Sequence, residues 1–484
     1  MQIYRLKSCN LALIFCLFLL FFCGCKKQDS SISETISPPR DYDMLIYSGS
    51  DEFVSNFSLL ENEYRNNSGI IIKCVGSAYD NVNNLESYMG SKDPPDIFTI
   101  ENFDELTQRY QAGDIMDFIN ASEEDFREIT EGIPESLRLG LNDINNCGVP
   151  LTYRGFGFVF NPKTIGALFG ESRMQSVIND LKKCNFEDFK SFVDSVSSYI
   201  ENGDGSVSIN KSNYPFLTNK TALASNLSSV FLMSAETSYE TLMNPALACH
   251  FVSASDLKNS QTISNATKSI SKFMEMLDMI SSKTLLGRGV SFADPEINSQ
   301  SQALKNFVSG QALFLVADDT VFQGIKKLNP EFSEHLMFLP LKTRVDDEIV
   351  FANGIDLGKI NSHLTVFCPY YIAINAKTEH SKMAQDFIIW LFTSPVAQKI
   401  LIENLKFVPY NCNDISSIEN SLSRSVMQYV STSSTLPAIF TGVEEAWKTV
   451  INQRILKFYL AKNVWDSEDY KNFANFCARK WNKN

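Results

Sequence analysis

Apolar residues follow two alternating patterns along the chain from Met44 onward. The segments "MLIY" (44–47), "IIIKCV" (70–75) and "DIFTI" (96–100) are largely apolar runs, which is typical of strands buried on both faces. Between the first two runs, apolar residues recur at helical spacing over 53–64. The spacing therefore predicts a β-α-β-α-β unit with parallel strands and right-handed crossovers.

The same alternation continues toward the C-terminus. Two strand-like runs surround Tyr153 and Arg154, and further apolar strands are predicted at 312–317 and 367–375. A helix is predicted to begin at "SP" (394–395), with the serine as its cap and the proline at its first position. The folded part has about 440 residues, more than one hydrophobic core usually organises. We therefore expect an α/β protein of two or three lobes.

Polar side chains follow each of the three N-terminal strands. Ser50 and Asp51 follow the first strand, Tyr79 the second, and Glu101 and Asn102 the third. The carboxyl ends of parallel strands meet at one edge of a sheet, where open α/β sheets bind ligands. The alternative at the third strand is helix capping by Asn102. The coincidence of three such strand ends favours a binding site.

Residues 1–24 have the layout of a secretory signal. Arg5 and Lys7 precede about a dozen apolar residues, a run too short to span a bilayer comfortably. The end of this run resembles a bacterial lipobox, so cleavage would leave Cys25 as a lipid-carrying first residue; an uncleaved membrane anchor is the alternative. Residues 25–40 are poor in apolar side chains and predict a flexible tether. The rest of the chain is expected to face the periplasm or the cell exterior.

Composition and motifs exclude several classes of function. The formal net charge of −13 becomes about −15 without Arg5 and Lys7, and the basic residues are scattered, which disfavours nucleic acid as a partner. No zinc-protease, Walker A or G-x-S-x-G motif occurs, so we expect no metal, no cofactor and no catalytic residues. Seven cysteines follow the predicted signal and Cys25, and they are far apart and odd in number, which favours small buried side chains over disulfides. They are Cys74, Cys147, Cys184, Cys249, Cys368, Cys412 and Cys477.

Five stretches of the chain together carry a family resemblance. The stretches are "PPDIF" (94–98), "CGVPLTYRGFGFVFNPKTI" (147–165), "NFEDFKSFV" (185–193), "FVSGQALFLVADDTVF" (307–322) and "YYIAINAKTEHSKMAQDFIIWLFTSPVAQKILIENLKFVPYN" (370–411). In this order they resemble the bacterial extracellular solute-binding proteins of ABC importers, specifically the carbohydrate-binding group related to maltodextrin-binding proteins. The last stretch is the closest match and covers a strand and two helices.

The resemblance implies a two-lobed, type II periplasmic-binding-protein-like α/β fold with a ligand cleft between the lobes. Lobe one would comprise residues 41–150 plus 364–408, and lobe two residues 151–363 plus 409–484. It also implies a monomeric, non-enzymatic receptor that captures a small solute, foremost a sugar or oligosaccharide. The lobes would close over the solute and present it to an ABC permease in the inner membrane.

Sugar sites combine aromatic rings with charged or amide groups that bond the hydroxyls. The alternative is core packing for Tyr79, Tyr371 and Trp447, and a surface ion pair for Arg154. The adjacent acids that end the 312–317 strand make a polyhydroxylated or cationic solute the expected ligand and disfavour an anion. The candidate ligand-binding residues are Ser50, Asp51, Tyr79, Glu101, Asn102, Tyr153, Arg154, Asp318, Asp319, Tyr371 and Trp447.

Two other functions stay open at this point. A surface lipoprotein that binds a macromolecular partner would need the same export and tether. A glycoside hydrolase would need only two suitably spaced carboxyl groups. Ligand-induced closure would separate the importer receptor from the adhesin, and turnover of an aryl glycoside would reveal the hydrolase.

Overall fold

A computed structural model describes residues 41–76, 84–101, 103–139, 146–248, 250, 259–345, 357–412, 414–438 and 445–481. At residues 103, 104, 357, 445–447 and 481 the description is of the backbone alone. Across these ranges, no helix combines the length and the apolar character needed to cross a membrane. The predicted signal and tether, with Cys25, lie outside the described residues.

Eleven strands and twenty α-helices make up the described part of the fold. The strands are β1 (Met44–Ser48), β2 (Ile72–Gly76), β3 (Ile97–Ile100), β4 (Val149–Phe160), β5 (Ser206–Ile209), β6 (Ser212–Pro215), β7 (Ser229–Leu232), β8 (Ala312–Asp318), β9 (Met337–Leu339), β10 (Leu364–Ile374) and β11 (Thr435–Pro437). The helices are α1 (Asp51–Ser68), α2 (Leu85–Met89), α3 (Phe103–Gln111), α4 (Glu124–Glu131), α5 (Pro162–Phe169), α6 (Glu171–Lys183), α7 (Phe186–Asn202), α8 (Ala222–Asn226), α9 (Tyr239–Leu247), α10 (Ser260–Ser282), α11 (Val290–Ala293), α12 (Gln300–Val308), α13 (Val321–Leu328), α14 (Pro330–Ser333), α15 (Leu357–Ile360), α16 (Ser381–Thr393), α17 (Pro395–Ile400), α18 (Ser421–Ser431), α19 (Glu445–Arg454) and α20 (Ser467–Trp481).

The N-terminal β-α-β-α-β unit forms as its sequence pattern predicts. β1 pairs in parallel with both β2 and β3. α1 begins after Ser50, whose hydroxyl accepts a hydrogen bond from the Phe53 N–H at 3.2 Å. The helix ends at Gly69, which adopts the left-handed conformation with φ 77°. Its apolar stripe is buried, so β1 and α1 hold the segment between them, Gly49 and Ser50, in a fixed position.

Two long antiparallel strands, β4 and β10, join the two halves of a nine-stranded sheet. The strand order is β2-β1-β3-β10-β4-β8-β7, with β11 beside β10 and β9 beside β4. The two strand-like runs expected around Tyr153 and Arg154 are one continuous strand of 12 residues. The last residue of β3, Ile100, pairs with Tyr371 of β10, and the last residue of β8, Asp318, pairs with Phe156 of β4. The ends of β3 and β8 therefore both lie against the middle of the two joining strands.

The half of the fold that contains β7 and β8 has a core rich in phenylalanine. Phe158 of β4 stacks on Phe189 with a centroid distance of 5.2 Å, and lies 5.4 Å from the Phe231 ring and 5.7 Å from the Phe314 ring. The six described cysteines carry no disulfide, and all but Cys74 are buried. The prediction that the cysteines serve as small buried side chains is thus confirmed for five of those six, and Cys74 on β2 is only partly buried.

Candidate functional site

The turn after β1 and the residue after β3 are in direct contact. The Gly49 N–H donates to the Thr99 hydroxyl at 2.9 Å, which fixes the turn against β3. A β-carbon built on Gly49 would overlap Oε1 of Glu101, so the Glu101 carboxylate lies over the glycine. Only a residue without a side chain allows this approach. The two strand ends thus form one polar edge, as the sequence predicts.

Gly49→Ala is expected to push the Glu101 carboxylate away from the turn and to lower the free energy of unfolding by roughly 1 kcal/mol, the low end of overpacking costs. The cost is small because the carboxylate ends a flexible side chain. In a Glu101→Ala background the same substitution should be almost neutral. Urea unfolding of the two single variants and the double variant measures the coupling, and an equal cost of Gly49→Ala in both backgrounds would contradict the contact.

Asp51 and the first turn of α3 set the electrostatics around Glu101. Burial raises the pKa of the Glu101 carboxyl, and the nearby charge of Asp51 raises it further. The Glu101 N–H donates to Oε2 of Glu105 at 3.0 Å, which ties the start of α3 to the end of β3. Asn102, the predicted cap, lies outside the described residues. The Glu101 residue as a whole is solvent-exposed, whereas its carboxyl is partly buried against Gly49, so the carboxyl lies at the surface of this edge.

Tyr370 is an aromatic side chain that lies next to this edge. Its ring stacks on Phe407, with centroids 6.2 Å apart and planes inclined by 28°. Burial raises the pKa of the Tyr370 hydroxyl, the charges of Glu101 and Glu52 add to the increase, and Arg154 opposes it. Tyr370 therefore lies within electrostatic range of acids that follow β1 and β3 and of a cation on β4.

Arg154 and Asp319 bring opposite charges to the middle of the sheet. Arg154 lies on β4 opposite Phe367, and within the described residues it makes no ion pair within 4 Å. Its partial burial and lack of such a pair do not fit a surface ion pair. Asp319 Oδ2 accepts a hydrogen bond from the Ser423 hydroxyl at 2.9 Å, whereas Oδ1 is buried without a hydrogen-bond partner in the described structure.

The Asp319 carboxyl has an unusually high pKa. Burial raises its pKa to about 7, the neighbouring Asp318 contributes to the increase, and Arg154 and Ser423 oppose it. Asp318 itself has a structural role, because its Oδ1 accepts from the Thr320 N–H at 3.0 Å in the turn that leads to α13. Of the two adjacent acids, Asp319 is therefore the one with an unused acceptor.

Two predicted site tyrosines are core residues. Tyr153 is 2% exposed and its hydroxyl contacts the Met427 sulfur at 2.6 Å. Tyr371 is 5% exposed and packs with Ile100 and Cys368. For Tyr371 this placement agrees with the core-packing alternative. A contact of either ring with a solute stays a prediction that this structure does not support.

Three predicted side chains fall outside the described residues. They are Tyr79, Asn102 and Trp447, although the backbone at 447 does lie in a helix, α19. The structure brings together Ser50, Asp51, Glu101 and Arg154 with Asp318 and Asp319 through shared contacts and mutual electrostatic influence. Sequence reasoning missed Glu52, Tyr370 and Ser423. Of these three, only Tyr370 is indicated by the sequence, because it directly precedes Tyr371, one of the predicted ligand-binding residues.

The arrangement offers hydrogen-bond acceptors, one cation and one partly exposed ring. Carboxylates accept hydrogen bonds from hydroxyl or ammonium groups, and a guanidinium donates to oxygen. Among the described residues no group of three or more histidine, cysteine or acidic side chains is placed to hold a metal ion. The geometry thus suits a polyhydroxylated or cationic solute better than an anion.

Comparison with known proteins identifies the family of this chain. Residues 61–413 match the family model described as bacterial extracellular solute-binding protein. A search of curated proteins found no match. A family 1 extracellular solute-binding protein from Bifidobacterium longum subsp. infantis has a similar structure, with a TM-score of 0.57 at 13% identity over 91% of this chain and 99% of that one.

Two more solved structures show the same likeness. A family 1 protein from Alicyclobacillus acidocaldarius subsp. acidocaldarius DSM 446 gives a TM-score of 0.56 at 11% identity, covering 90% of this chain and 98% of that one. Apo RafE from Streptococcus pneumoniae gives 0.55 at 12% identity, covering 91% and 97%. RafE has also been solved in complex with raffinose. At such identities the likeness is one of fold, and it confirms the predicted two-lobed α/β fold class.

Proposed function

Because the chain belongs to the family of bacterial extracellular solute-binding proteins, we propose that it captures a small solute in a cleft between two lobes and delivers it to an ABC permease. The family is described by binding and by an extracellular location, which favours solute capture over catalysis. Closure of two lobes around a solute is the switch by which such a receptor would signal occupancy to its permease.

One observation carries the proposal for this chain. The ends of β3 and β8, which belong to opposite halves of the sheet, place Glu101 and Asp319 on either side of Arg154. Asp319 retains one buried oxygen without a hydrogen-bond partner among the described residues. A buried acceptor left in that state costs free energy, and a solute donor could satisfy it. Such a contact would favour the closed form.

We propose a sugar or oligosaccharide as the solute. The cleft residues supply carboxylates for hydroxyl groups and the Tyr370 ring for the apolar face of a pyranose. The raffinose complex of the structurally similar RafE supports the same ligand class. Acids outnumber cations at the site, so a cationic solute is the second ligand class and an anion is disfavoured.

We further propose the lobe limits and the anchor that the sequence predicts. Lobe one would comprise 41–150 plus 364–408, and lobe two 151–363 plus 409–484. The proposed limits at 150/151 and at 408/409 would be two places where the chain passes from one lobe to the other. The Val408 N–H donates to the Thr152 hydroxyl at 3.0 Å, so these two places lie side by side, which supports a limit close to residue 408. The mature chain would begin at a lipid-carrying Cys25, act as a monomer, and be held at the cell membrane on its outer side.

A thermal-melting screen tests the proposed function. The purified protein is unfolded and refolded to remove carried ligand, then melted with mono- and oligosaccharides, polyols, polyamines and glycerophosphodiesters. A true ligand at about a hundred times its dissociation constant should add roughly 2.7 kcal/mol to the stability of the folded state. A panel without any shift would favour the adhesin, and release of an aryl alcohol from a glycoside would favour the hydrolase.

Glu101→Ala and Tyr370→Ala are expected to weaken binding of the solute found in that screen by about tenfold or more each, since each removes a direct contact worth at least about 1.4 kcal/mol. Glu63→Ala, an exposed acid on α1, is the matched control and should leave the affinity unchanged. Titration calorimetry measures all three. Parent-like affinity of the Glu101 variant would remove Glu101 from the site.

A further inference from the structure

A cavity lies where α6 and α18 end, and it shares no lining residue with the polar edge. Its volume is about 580 Å³. Among the described residues its lining contains two lysines, several hydroxyl groups and no acid, in a protein whose net charge is −13. The lining includes Lys182, Lys183, Ser362, Tyr429, Thr432 and Ser434. We call this cavity the lysine pocket.

Lys182 is held in the lysine pocket without an acidic partner. Its ammonium lies 5.4 Å from the centroid of the Tyr429 ring, a cation–π contact. Partial burial lowers the pKa of this ammonium. The acids nearest to it on the same stretch of chain bond other groups. Asp180 accepts from the Tyr214 hydroxyl at 2.6 Å, Glu187 from the Arg344 guanidinium at 2.8 Å, and Asp188 from the Asn210 N–H at 3.1 Å.

A third lysine lies directly behind the pocket wall. Lys342 is fully buried, and its ammonium donates to the carbonyls of Lys182 and Cys184, each at 3.2 Å, and to that of Asn361. No carboxylate neutralises it within the described structure. Burial lowers the pKa of Lys342 to about 8. A buried ammonium without a counter-charge is costly, so the protein keeps a positive charge here at a price in stability.

Lys342 also removes the main obstacle to an anion at this place. The carbonyl end of a helix carries partial negative charge, which would repel an anion beside the end of α6. The Lys342 ammonium engages two of the carbonyls at that end. What the pocket then presents is the ammonium groups of Lys182 and Lys183. The hydroxyls of Ser362 and Ser434 also line it, and each donates to a backbone carbonyl, that of Lys359 at 3.1 Å and that of Thr432 at 3.3 Å.

We propose that the lysine pocket is a second binding site, and that it takes a phosphate-type oxyanion. Lysine binds phosphate as a point charge, and the two neighbouring ammonium groups of this pocket supply that charge. The source of the oxyanion is either a phosphate-bearing solute or the headgroup of an anionic lipid. The site differs in charge from the acidic cleft proposed for the solute, and it does not depend on what that cleft binds.

Phosphorus NMR and vesicle binding test the proposal on the purified protein. Inorganic phosphate is titrated against the protein at constant ionic strength, adjusted with chloride. Saturable line broadening is expected for the parent, and affinity about tenfold or more weaker for Lys182→Gln/Lys183→Gln. Lys190→Gln, on a lysine paired with Asp194 on the surface of α7, is the control and should bind as the parent does. Melting curves of all variants verify that they fold.

Sedimentation with vesicles separates the two sources. Vesicles of phosphatidylcholine alone are compared with vesicles that also contain phosphatidylglycerol. Binding of free phosphate without vesicle binding supports a soluble ligand, and vesicle binding that needs phosphatidylglycerol and both lysines supports a headgroup. The proposal is overturned if neither binds, or if the double variant binds as tightly as the Lys190 control.

Discussion

Asp319→Asn is expected to stabilise the protein at pH 8 and to flatten the pH dependence of its unfolding free energy. The Asp319 carboxyl is buried, and its pKa is raised from 3.8 to about 7. The folded state therefore holds a proton that the unfolded state releases at lower pH, so the stability contributed by this group falls as the pH rises from about 4 to about 7. The shift corresponds to at most roughly 4 kcal/mol, since each pKa unit is worth about 1.36 kcal/mol.

Asparagine suits this test because its side-chain oxygen can still accept the hydrogen bond from Ser423. Urea unfolding at pH 5 and pH 8 should show a smaller difference between the two values for the variant than for the parent. Asp318→Asn is the control, since Asp318 is the adjacent acid but bonds the turn at Thr320. If Asp319→Asn left the difference between the two pH values as large as in the parent, Asp319 would not be the buried proton-binding group.

The N-terminal unit could be predicted from sequence because two of its strands, β1 and β3, are buried on both faces, although β2, at the edge of the sheet, exposes Lys73. β1 and β3 are largely apolar and are followed by short polar segments, so the sequence indicates where they end. The parallel order then placed Ser50 and Glu101 on one edge. The same reasoning predicts that Glu101 and Gly49 lie at the same edge, but the direct contact between them is seen only in the structure.

The pairing of β4 and β10 is what the sequence could not supply. Their register shifts between Phe367 and Tyr370 and again between Tyr370 and Tyr371. Such an irregularity changes which of two neighbouring residues faces a given side of a sheet. The sequence offers two adjacent tyrosines of similar chemistry. It predicts Tyr371 as a site residue, whereas in the structure Tyr370 is the one that lies near the acids. Ser423 was invisible for a different reason, because it approaches Asp319 from a helix that is distant in sequence.

The two joining strands explain how distant parts of the chain meet at one site. Arg154 lies on a strand whose first part pairs with β10 and whose last part pairs with β8 and β9. The same strand thus carries Arg154, the cation of the site, and also Phe158, which lies four residues further along the strand at the centre of the phenylalanine-rich core. Packing of Phe158 should therefore determine how firmly Arg154 is held relative to Asp319.

Phe158→Ala is expected to lower the free energy of unfolding by about 3–5 kcal/mol, the usual cost of removing a buried aromatic side chain. Phe158 is fully buried and contacts three aromatic rings, of which Phe189 is stacked on it at 5.2 Å. The cavity left behind cannot collapse easily, because its walls are large rings carried by a helix and two strands. Phe158→Leu keeps part of the volume and should cost distinctly less.

Urea unfolding of the two variants, followed by tryptophan fluorescence and by circular dichroism, measures these costs. Ile119→Ala is the control, since Ile119 is 77% exposed and its loss should change the stability by no more than about 0.5 kcal/mol. A cost below about 1 kcal/mol for Phe158→Ala would mean that the ring cluster does not support the joining strand. A cost in the expected range, with weaker solute binding in the still-folded Phe158→Leu variant, would tie the position of Arg154 to this core.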